Sequence, residues 1–411
     1  MREAFEAAGY ASRPFEEKND VYIINTCTVT DEADRKSRQF IRRAIRKNPD
    51  ATVIVMGCYS QRAPEKIAQI GGVSAVIGTG GKMRAVEIAE GIRSGLYPTP
   101  YIAESELTEF EPMCVKRAPR TRAYVKIEDG CDSKCAYCAI RLARGPVRSK
   151  PKDEVISEVC ALFKSGVPEV VLTGIETAAY GKDFDTGYTF ADLLTELDGC
   201  EGVGKIRLGS LAPELVGADF AERVSTLKSL VPHFHISVQS GSDKVLRLMR
   251  RRYTGATALE NIRRLKSLIP DAQFTADILV GFPGENEEDF KKSAEFITSA
   301  ELLDAHIFTF SAREGTVAYT MDGKVSDAEK HRRTRELIKV KNAQRNKVLE
   351  RIVEEKKPLL CIFESCEGNL YTAHSDSFVA VLAESDSDIR GKLKTVLPLS
   401  HKDGVIYGKI I

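Results

Sequence analysis

Three of the chain's ten cysteines crowd into GCDSKCAYCAIRLARG, residues 130–145, where Cys131, Cys135 and Cys138 are separated by three and then two residues. Thiolates held that close serve soft metals or redox chemistry. A structural zinc ion closes its tetrahedron with four ligands, commonly two CxxC pairs across a longer loop. No local fourth Cys or His follows Cys138, and the nearest later cysteine, Cys160, falls in a predicted helix. A cubane iron–sulfur cluster normally takes four thiolates. Three leave one iron open to a substrate or cofactor, so the spacing points to an iron–sulfur site with an open iron. A zinc knuckle completed by one distant ligand is the alternative.

Such a site needs a frame, and the chain divides into three parts that could supply one. Residues 1–95 alternate apolar strands (VYIINTC, ATVIVMGC, VSAVIGTGG) with helical stretches, which argues for a parallel α/β domain. Residues 96–119 read as a linker. From 120 to 345 a strand-then-helix unit recurs six times, beginning with TRAYVKIE and the helix PKDEVISEVCALFKSG. In that helix Val155, Ile156, Val159, Leu162 and Phe163 share a face, with Gly166 as the stop. Six units imply a partial (β/α) barrel, since the closed form needs about eight. The three-cysteine stretch directly follows the first strand, at the barrel end where active residues gather. A charged helix over about 326–354 leads to residues 346–411, whose short strand-like runs predict a small β-barrel.

On that frame further residues stand out. Cys27 and Cys58 each sit just past a strand of the N-terminal domain, so the two thiols could be neighbours along one sheet edge. Taken alone, the two read as ordinary buried cysteines, and it is the resemblance given below that makes them ligands. Gly174, after the second barrel strand, permits close backbone approach at the barrel mouth. Gln239, ending the fourth strand, is placed to hydrogen-bond a ribose or adenine. A simple loop turn is the alternative for both. His233 and His235 point the same way along the fourth strand and read as packed barrel histidines. The helix Asp34–Lys47 gathers Arg35, Arg38, Arg42 and Arg46, flanked by Lys36, Arg43 and Lys47, opposite Phe40, Ile41, Ala44 and Ile45. One apolar face and one unbroken cationic face suggest phosphate contact, a solvated face being the alternative. Arg141, Arg144, Arg148 and Lys150 could likewise guide a polyanion, and Arg313 could face the site. Cys114 reads as an exposed linker thiol, and Cys160, Cys200, Cys361 and Cys366 match no site.

The CxxxCxxC spacing with Tyr137 before its last cysteine resembles the radical S-adenosylmethionine enzymes. INTCTVTDEADRKSRQ, MGCYSQRAPE, ARGPVRSK, LTGIETAAYG, HFHISVQSGSDKVLRLMRRRYT, TADILVGFPGENEEDF and FSAREGTVA extend the resemblance to the methylthiotransferases across nearly the whole chain. NTCTVT followed by RKSRQFIRRAIRKNP is most similar to the branch acting on threonylcarbamoyladenosine beside the tRNA anticodon. The resemblance implies a [4Fe-4S] cluster on Cys131, Cys135 and Cys138, with S-adenosylmethionine chelated at the open iron and cleaved to a 5′-deoxyadenosyl radical. It implies cofactor contacts at Tyr137, Gly174, Gln239 and the VGFPGE turn, with Gly281 and Pro283 setting that turn's shape. It also implies a TRAM-like C-terminal domain, sulfur insertion at an adenine C–H, and two uses of S-adenosylmethionine. A second [4Fe-4S] cluster is implied on three cysteines, of which Cys27 and Cys58 match two. The family's first ligand precedes its first helix, and this sequence opens at that helix. It therefore reads as a version without the first strand and first ligand, which leaves assembly of the second cluster in question.

Composition sets outer limits. With 43% hydrophobic and 29% charged residues the chain reads as globular, and a net charge of +1 confines any nucleic-acid affinity to local patches. No apolar run approaches the ~18 residues needed to span a bilayer, and MREAFEAAGY lacks a signal-peptide core. The expectation is a cytoplasmic, monomeric tRNA-modifying enzyme served by a flavodoxin- or ferredoxin-like electron donor and a sulfur source. Its alternatives are methylthiolation of another tRNA adenosine or of a ribosomal protein, and a non-catalytic zinc-containing RNA-binding protein.

Overall fold

The computed structural model describes residues 1–115 and 121–411, so part of the expected linker lies outside the described residues. The chain forms two compact units. The first comprises Met1–Met113, Gly130–Arg148 and Ser311–Thr320; the second comprises Cys114–Asp129, Ser149–Phe310 and Met321–Ile411.

In the first unit α1 (Arg2–Ala7), β1 (Val21–Thr26), α2 (Asp31–Lys47), β2 (Thr52–Gly57), α3 (Cys58–Arg62), α4 (Pro64–Ala68), β3 (Ala75–Ile77), α5 (Ala85–Arg93) and β4 (Tyr101–Ile102) follow in order. The strands form one parallel sheet ordered β1-β2-β3-β4. β2 reads TVIVMG and is buried at every position, as a strand covered on both faces must be. Tyr101–Ile102, expected in the linker, extends the sheet instead. Helix α2 starts where the Thr30 side chain accepts the Ala33 N–H, and its acidic first turn and basic last turn both suit the helix dipole. Ile41 and Ala44 face the core, whereas Phe40 is 48% exposed, a correction to the expected apolar face. It lies about 100° round the helix from Ile41, at the flank, where its ring meets Phe15 edge-on at 5.8 Å. A further α-helix of this unit, α6 (Ile140–Arg144), packs on α3.

The second unit contains β5 (Arg122–Lys126), β6 (Glu128–Asp129), α7 (Lys152–Lys164), β8 (Glu169–Thr173), α8 (Phe190–Asp198), β9 (Lys205–Leu208), β10 (Ser210–Leu211), α9 (Ala218–Ser225), β11 (His233–Gln239), α10 (Asp243–Leu248), α11 (Gly255–Leu268), β12 (Gln273–Val280), α12 (Glu287–Ser299), β13 (Asp304–Thr309) and α13 (Asp327–Glu355); the short strand β7 (Arg148–Ser149) lies at its border. Strands β5, β8 and β9 pair in parallel, as do β10 to β13. The third strand breaks at Gly209, whose N–H bonds the Leu172 carbonyl at 2.8 Å. Its first half pairs with β8 and its second half with β11, which joins the two sheets into the expected six-strand partial barrel. Phe234, Ile236, Phe274, Ala276 and Ala305 pack against the helices. The alternate residues His233, His235, Thr275, Asp277 and His306 therefore take the opposite face.

Five antiparallel-rich strands, β14 (Leu359–Glu367), β15 (Leu370–Ser375), β16 (Ala380–Glu384), β17 (Leu393–Lys402) and β18 (Val405–Ile410), close a small C-terminal barrel. Val348, Leu349 and Ile352 of α13 extend into its core. No helix among the described residues is long and apolar enough to cross a membrane.

Candidate functional site

The loop bearing Cys131, Cys135 and Cys138 is pinned at its neck. The Cys131 N–H bonds the Gly145 carbonyl at 3.0 Å. Gly130 has φ +90°, and a Cβ there would lie 1.7 Å from the Pro146 carbonyl oxygen, so only glycine closes the neck. The Cys138 N–H turns back onto the Cys135 carbonyl at 3.2 Å, and the Ala136 carbonyl accepts the Ala318 N–H at 2.8 Å. All three thiols are half-buried, and Tyr137 stands between the last two. Three such donors on one loop suit a cluster with an open iron, whereas Cys160 belongs to the second unit. Its sulfur instead lies 2.7 Å from that of Cys200, in the second unit.

The same unit carries Cys27 and Cys58. Register pairs Thr26 with Gly57 across β1 and β2, so the next residues, these two cysteines, leave neighbouring strand ends as the sequence suggested. Cys27 is exposed and Cys58 buried. Arg144, from the C-terminal turn of α6, donates Nε–H to Cys58 Sγ at 3.2 Å. Helix α6 is tied to this sheet by Thr79, whose hydroxyl bonds the Ala143 carbonyl at 2.6 Å. Beside Cys27, the buried Arg313 guanidinium bonds Thr28 Oγ1 at 2.9 Å and pairs with Asp31 and Asp34. Arg313 thus clamps the start of α2 and is not a group presented to substrate, correcting the sequence expectation.

Two other basic residues are corrected likewise. Arg148 is 5% exposed, its Nη1 spread over the carbonyls of Arg144 (2.7 Å), Pro146 (2.9 Å) and Leu107 (3.3 Å). Lys150 is 1% exposed and pairs with Glu158. Of that run Arg141 is exposed and Arg144 is half-buried on Cys58. On α2 the cationic face is not unbroken: Glu32 pairs with Arg35 at 2.7 Å and with Lys36 at 3.8 Å, and Glu16 takes Arg43 at 3.0 Å. Arg42 and Arg46 are exposed with no such acid among the described residues. Arg38 bonds the Tyr59 hydroxyl at 3.0 Å, and Arg38, Arg42, Tyr59 and Lys66 line an open groove of about 630 Å³.

In the second unit Gly174 meets a close approach from within the chain. A Cβ there would lie 2.5 Å from Glu128 Oε2, which accepts the N–H groups of Ile175 (2.8 Å) and Glu176 (3.0 Å). Burial pushes the Glu128 carboxyl up to about 8. Glu176, accepting the Ala212 N–H at 2.9 Å, is pushed by burial up to about 7. The sequence reading missed both carboxyls, because their signal is burial, which local pattern does not carry. Gln239 has φ +66°, a left-handed conformation costing a side-chain-bearing residue about 1–2 kcal/mol, and it ends β11 at a register shift. Gly281 donates its N–H to Glu285 Oε1 at 2.9 Å, and Glu285 is held by Arg333 of α13 at 2.5 Å, which fixes the VGFPGE turn.

Comparison with known proteins finds relatives along nearly the whole chain. The radical SAM superfamily matches residues 125–297, and a family described as uncharacterized protein family UPF0004 matches residues 1–78. The threonylcarbamoyladenosine tRNA methylthiotransferase MtaB of Bacillus subtilis (strain 168) is 38% identical over 403 residues, 95% of this chain and 88% of that protein. The enzyme of that name from Aquifex aeolicus (strain VF5) is 33% identical, covering 97% and 95%. The tRNA-2-methylthio-N(6)-dimethylallyladenosine synthase of Hydrogenobaculum sp. (strain Y04AAS1) is also 33% identical, covering 95% and 91%. Among solved structures, the radical S-adenosylmethionine methyltransferase TsrM from Kitasatospora setae, with cobalamin and [4Fe-4S] cluster bound, superposes with a TM-score of 0.57 at 14% identity. The match covers 77% of this chain and 66% of that one, and is a likeness of fold alone.

Proposed function

The chain belongs to the radical S-adenosylmethionine methylthiotransferase family, and we propose that it adds a methylthio group to C2 of an N6-threonylcarbamoyladenosine next to the anticodon of a tRNA. The observation carrying this reading is the loop of Cys131, Cys135 and Cys138 in a chain aligned over 95% of its length, at 38% identity, with an enzyme of that name.

Cys131, Cys135 and Cys138 would hold the [4Fe-4S] cluster, and when bound the cluster and S-adenosylmethionine supply the one-electron chemistry that opens an unactivated C–H bond. The pinned neck at Gly130 and Gly145 holds the three sulfurs in place. Tyr137 flanks the last ligand, and Gly174, Gln239 and Gly281 shape the edge that receives the nucleoside end of S-adenosylmethionine. Cys27 and Cys58 supply thiolates for a second [4Fe-4S] cluster, with Arg144 donating to Cys58. Arg38, Arg42 and Arg46 of α2 contact tRNA phosphates. Arg35, shared with Glu32, contributes less, and the C-terminal barrel serves as a TRAM-like RNA-binding domain. A flavodoxin- or ferredoxin-like donor brings electrons and a separate source brings sulfur to a cytoplasmic, monomeric enzyme.

Iron and acid-labile sulfide per chain, measured after anaerobic reconstitution, test the assignment against a Cys131→Ala/Cys135→Ala/Cys138→Ala variant. About eight irons falling to about four corresponds to two clusters, and about four falling to none to the radical site alone. Zinc in place of iron rejects the reading. Mass analysis of nucleosides from tRNA incubated with the enzyme then separates the threonylcarbamoyl substrate from the dimethylallyl one named for the Hydrogenobaculum relative.

A further inference from the structure

Inside the second unit, on the face of β11, β12 and β13 turned away from the helices, three metal-ligating side chains converge. His235 Nε2 lies 3.2 Å from Asp277 Oδ1, and His306 Nδ1 lies 3.4 Å from the same oxygen. The donor atoms of all three residues lie within 4.8 Å of one another. Strand pairing produces the cluster: Asp277 is directly in register with His306, and His235 stands opposite Thr275, two residues before Asp277. We propose that His235, Asp277 and His306 bind a divalent first-row transition metal ion, of the zinc or ferrous class, separately from any iron–sulfur cluster.

Donor chemistry and spacing both suit such an ion. Two imidazoles and a carboxylate are the mixed nitrogen and oxygen set that zinc and ferrous iron accept with positions left open for exogenous ligands. Donors each about 2.0–2.2 Å from one ion stand roughly 3–3.5 Å apart, which the two measured separations already satisfy. His306, with its side chain 63% exposed, is at the entrance and can turn to complete the third. His235 has its orienting partner: Nδ1 is 2.8 Å from Thr275 Oγ1, and when Nδ1 carries the proton, Nε2 keeps its lone pair for a metal. The Thr275 hydroxyl then donates onward to His233 Nε2 at 3.1 Å. Asp277, its side chain 20% exposed, supplies the single oxygen that both imidazoles approach.

The surroundings give the open positions something to face. All three strands contribute to a cavity of about 420 Å³, also lined by Arg122, Arg207, Arg345 and His233. Arg122 Nη2, Arg207 Nη1, Arg345 Nε and His233 Nδ1 are buried without a hydrogen-bond partner among the described residues. Arginine and histidine side chains give this cavity polar walls, which a metal-bound water or small anion would suit. A hydrogen-bonded His–Asp–His cluster with no ion is the competing account.

The test loads anaerobically reconstituted full-length protein with one equivalent of zinc sulfate, desalts it, and measures zinc and iron per chain. Asp277→Asn and the milder His306→Gln, at the exposed ligand, are compared with the native chain. About one zinc per chain is expected, with a nitrogen and oxygen shell near 2.0–2.1 Å by X-ray absorption, reduced tenfold or more in both variants while iron is unchanged. The proposal is overturned by zinc that does not bind, by zinc bound to sulfur near 2.3 Å, by zinc retained in the variants, or by zinc lost only together with iron.

Discussion

Glu128 is a carboxyl wedged into the space that Gly174 leaves open, and its buried Oε1 has no partner among the described residues. Its pH behaviour follows from that position. In the unfolded chain the group titrates near 4.5, and burial raises it to about 8 in the fold. The native state therefore keeps a proton that the unfolded state has released. The associated stability is fully present below about pH 4.5, declines as pH rises, and is gone above about 8, with a slope of up to about 1.4 kcal/mol per pH unit. Glu176, raised to about 7, adds the same sign over a narrower window. Melting temperature should thus fall more steeply between pH 6.5 and 9 in the native chain than in Glu128→Gln; equal slopes would show that Glu128 does not titrate in this range. At this scale the cysteines were legible and the carboxyls were not. Cys131, Cys135 and Cys138 announce themselves by spacing within one loop, whereas Glu128 matters through Gly174, Ile175 and Glu176, far along the chain.

Helix α2 shows what an element reveals before it is folded. Its period, its Thr30 cap and its basic end all lie within the sequence stretch itself, so the helix and its cationic side could be read directly. The pairing of that side could not, because Glu16 comes from another segment and Glu32 reaches Arg35 only once the helix forms. Arg42 and Arg46 remain as exposed cations with no acid partner among the described residues. Each is expected to displace counterions from a tRNA phosphate, so an Arg42→Glu/Arg46→Glu variant should bind tRNA at least tenfold more weakly at low salt. The slope of log affinity against log salt should also flatten by about 0.7–0.9 for each lost contact. Filter binding at several salt concentrations measures both. An unchanged slope would leave α2 as a solvated face. The six strand–helix units were equally legible from local periodicity, but the division of the third strand at Gly209 depends on pairing with β8 and β11, which no local period encodes.

Across the molecule, segment membership departs most from sequence order. Residues 130–148 and 311–320 interrupt the barrel sequence yet pack in the first unit, so both cysteine sets belong to one compact body. The second unit is knit by an equally long-range arrangement around Glu169, which is 1% exposed. Its carboxylate takes Arg122 Nε at 2.6 Å and Arg207 through Nε at 2.7 Å and Nη2 at 3.1 Å. Arg122 also pairs with Glu364 of β14, and Arg207 Nη2 reaches the Ser375 carbonyl of β15 at 3.5 Å. One buried anion thus organises two barrel strands and their contacts with the C-terminal barrel. Removing its charge takes the ion-pair partner from the buried Arg207 and leaves Arg122 with Glu364 alone, a loss on the order of 3–5 kcal/mol when a buried pair is broken. Replacing Glu169 with Gln keeps the shape and one acceptor oxygen, so the cost should fall at the lower end, and Glu169→Ala should cost more. Thermal melting of both variants should place them in that order below the native chain. If the assembly depends on the anion, Glu169→Gln should also increase protease cleavage around residues 356–359, between α13 and β14, whereas native-like melting and cleavage would mean that apolar packing of α13 alone holds the C-terminal barrel.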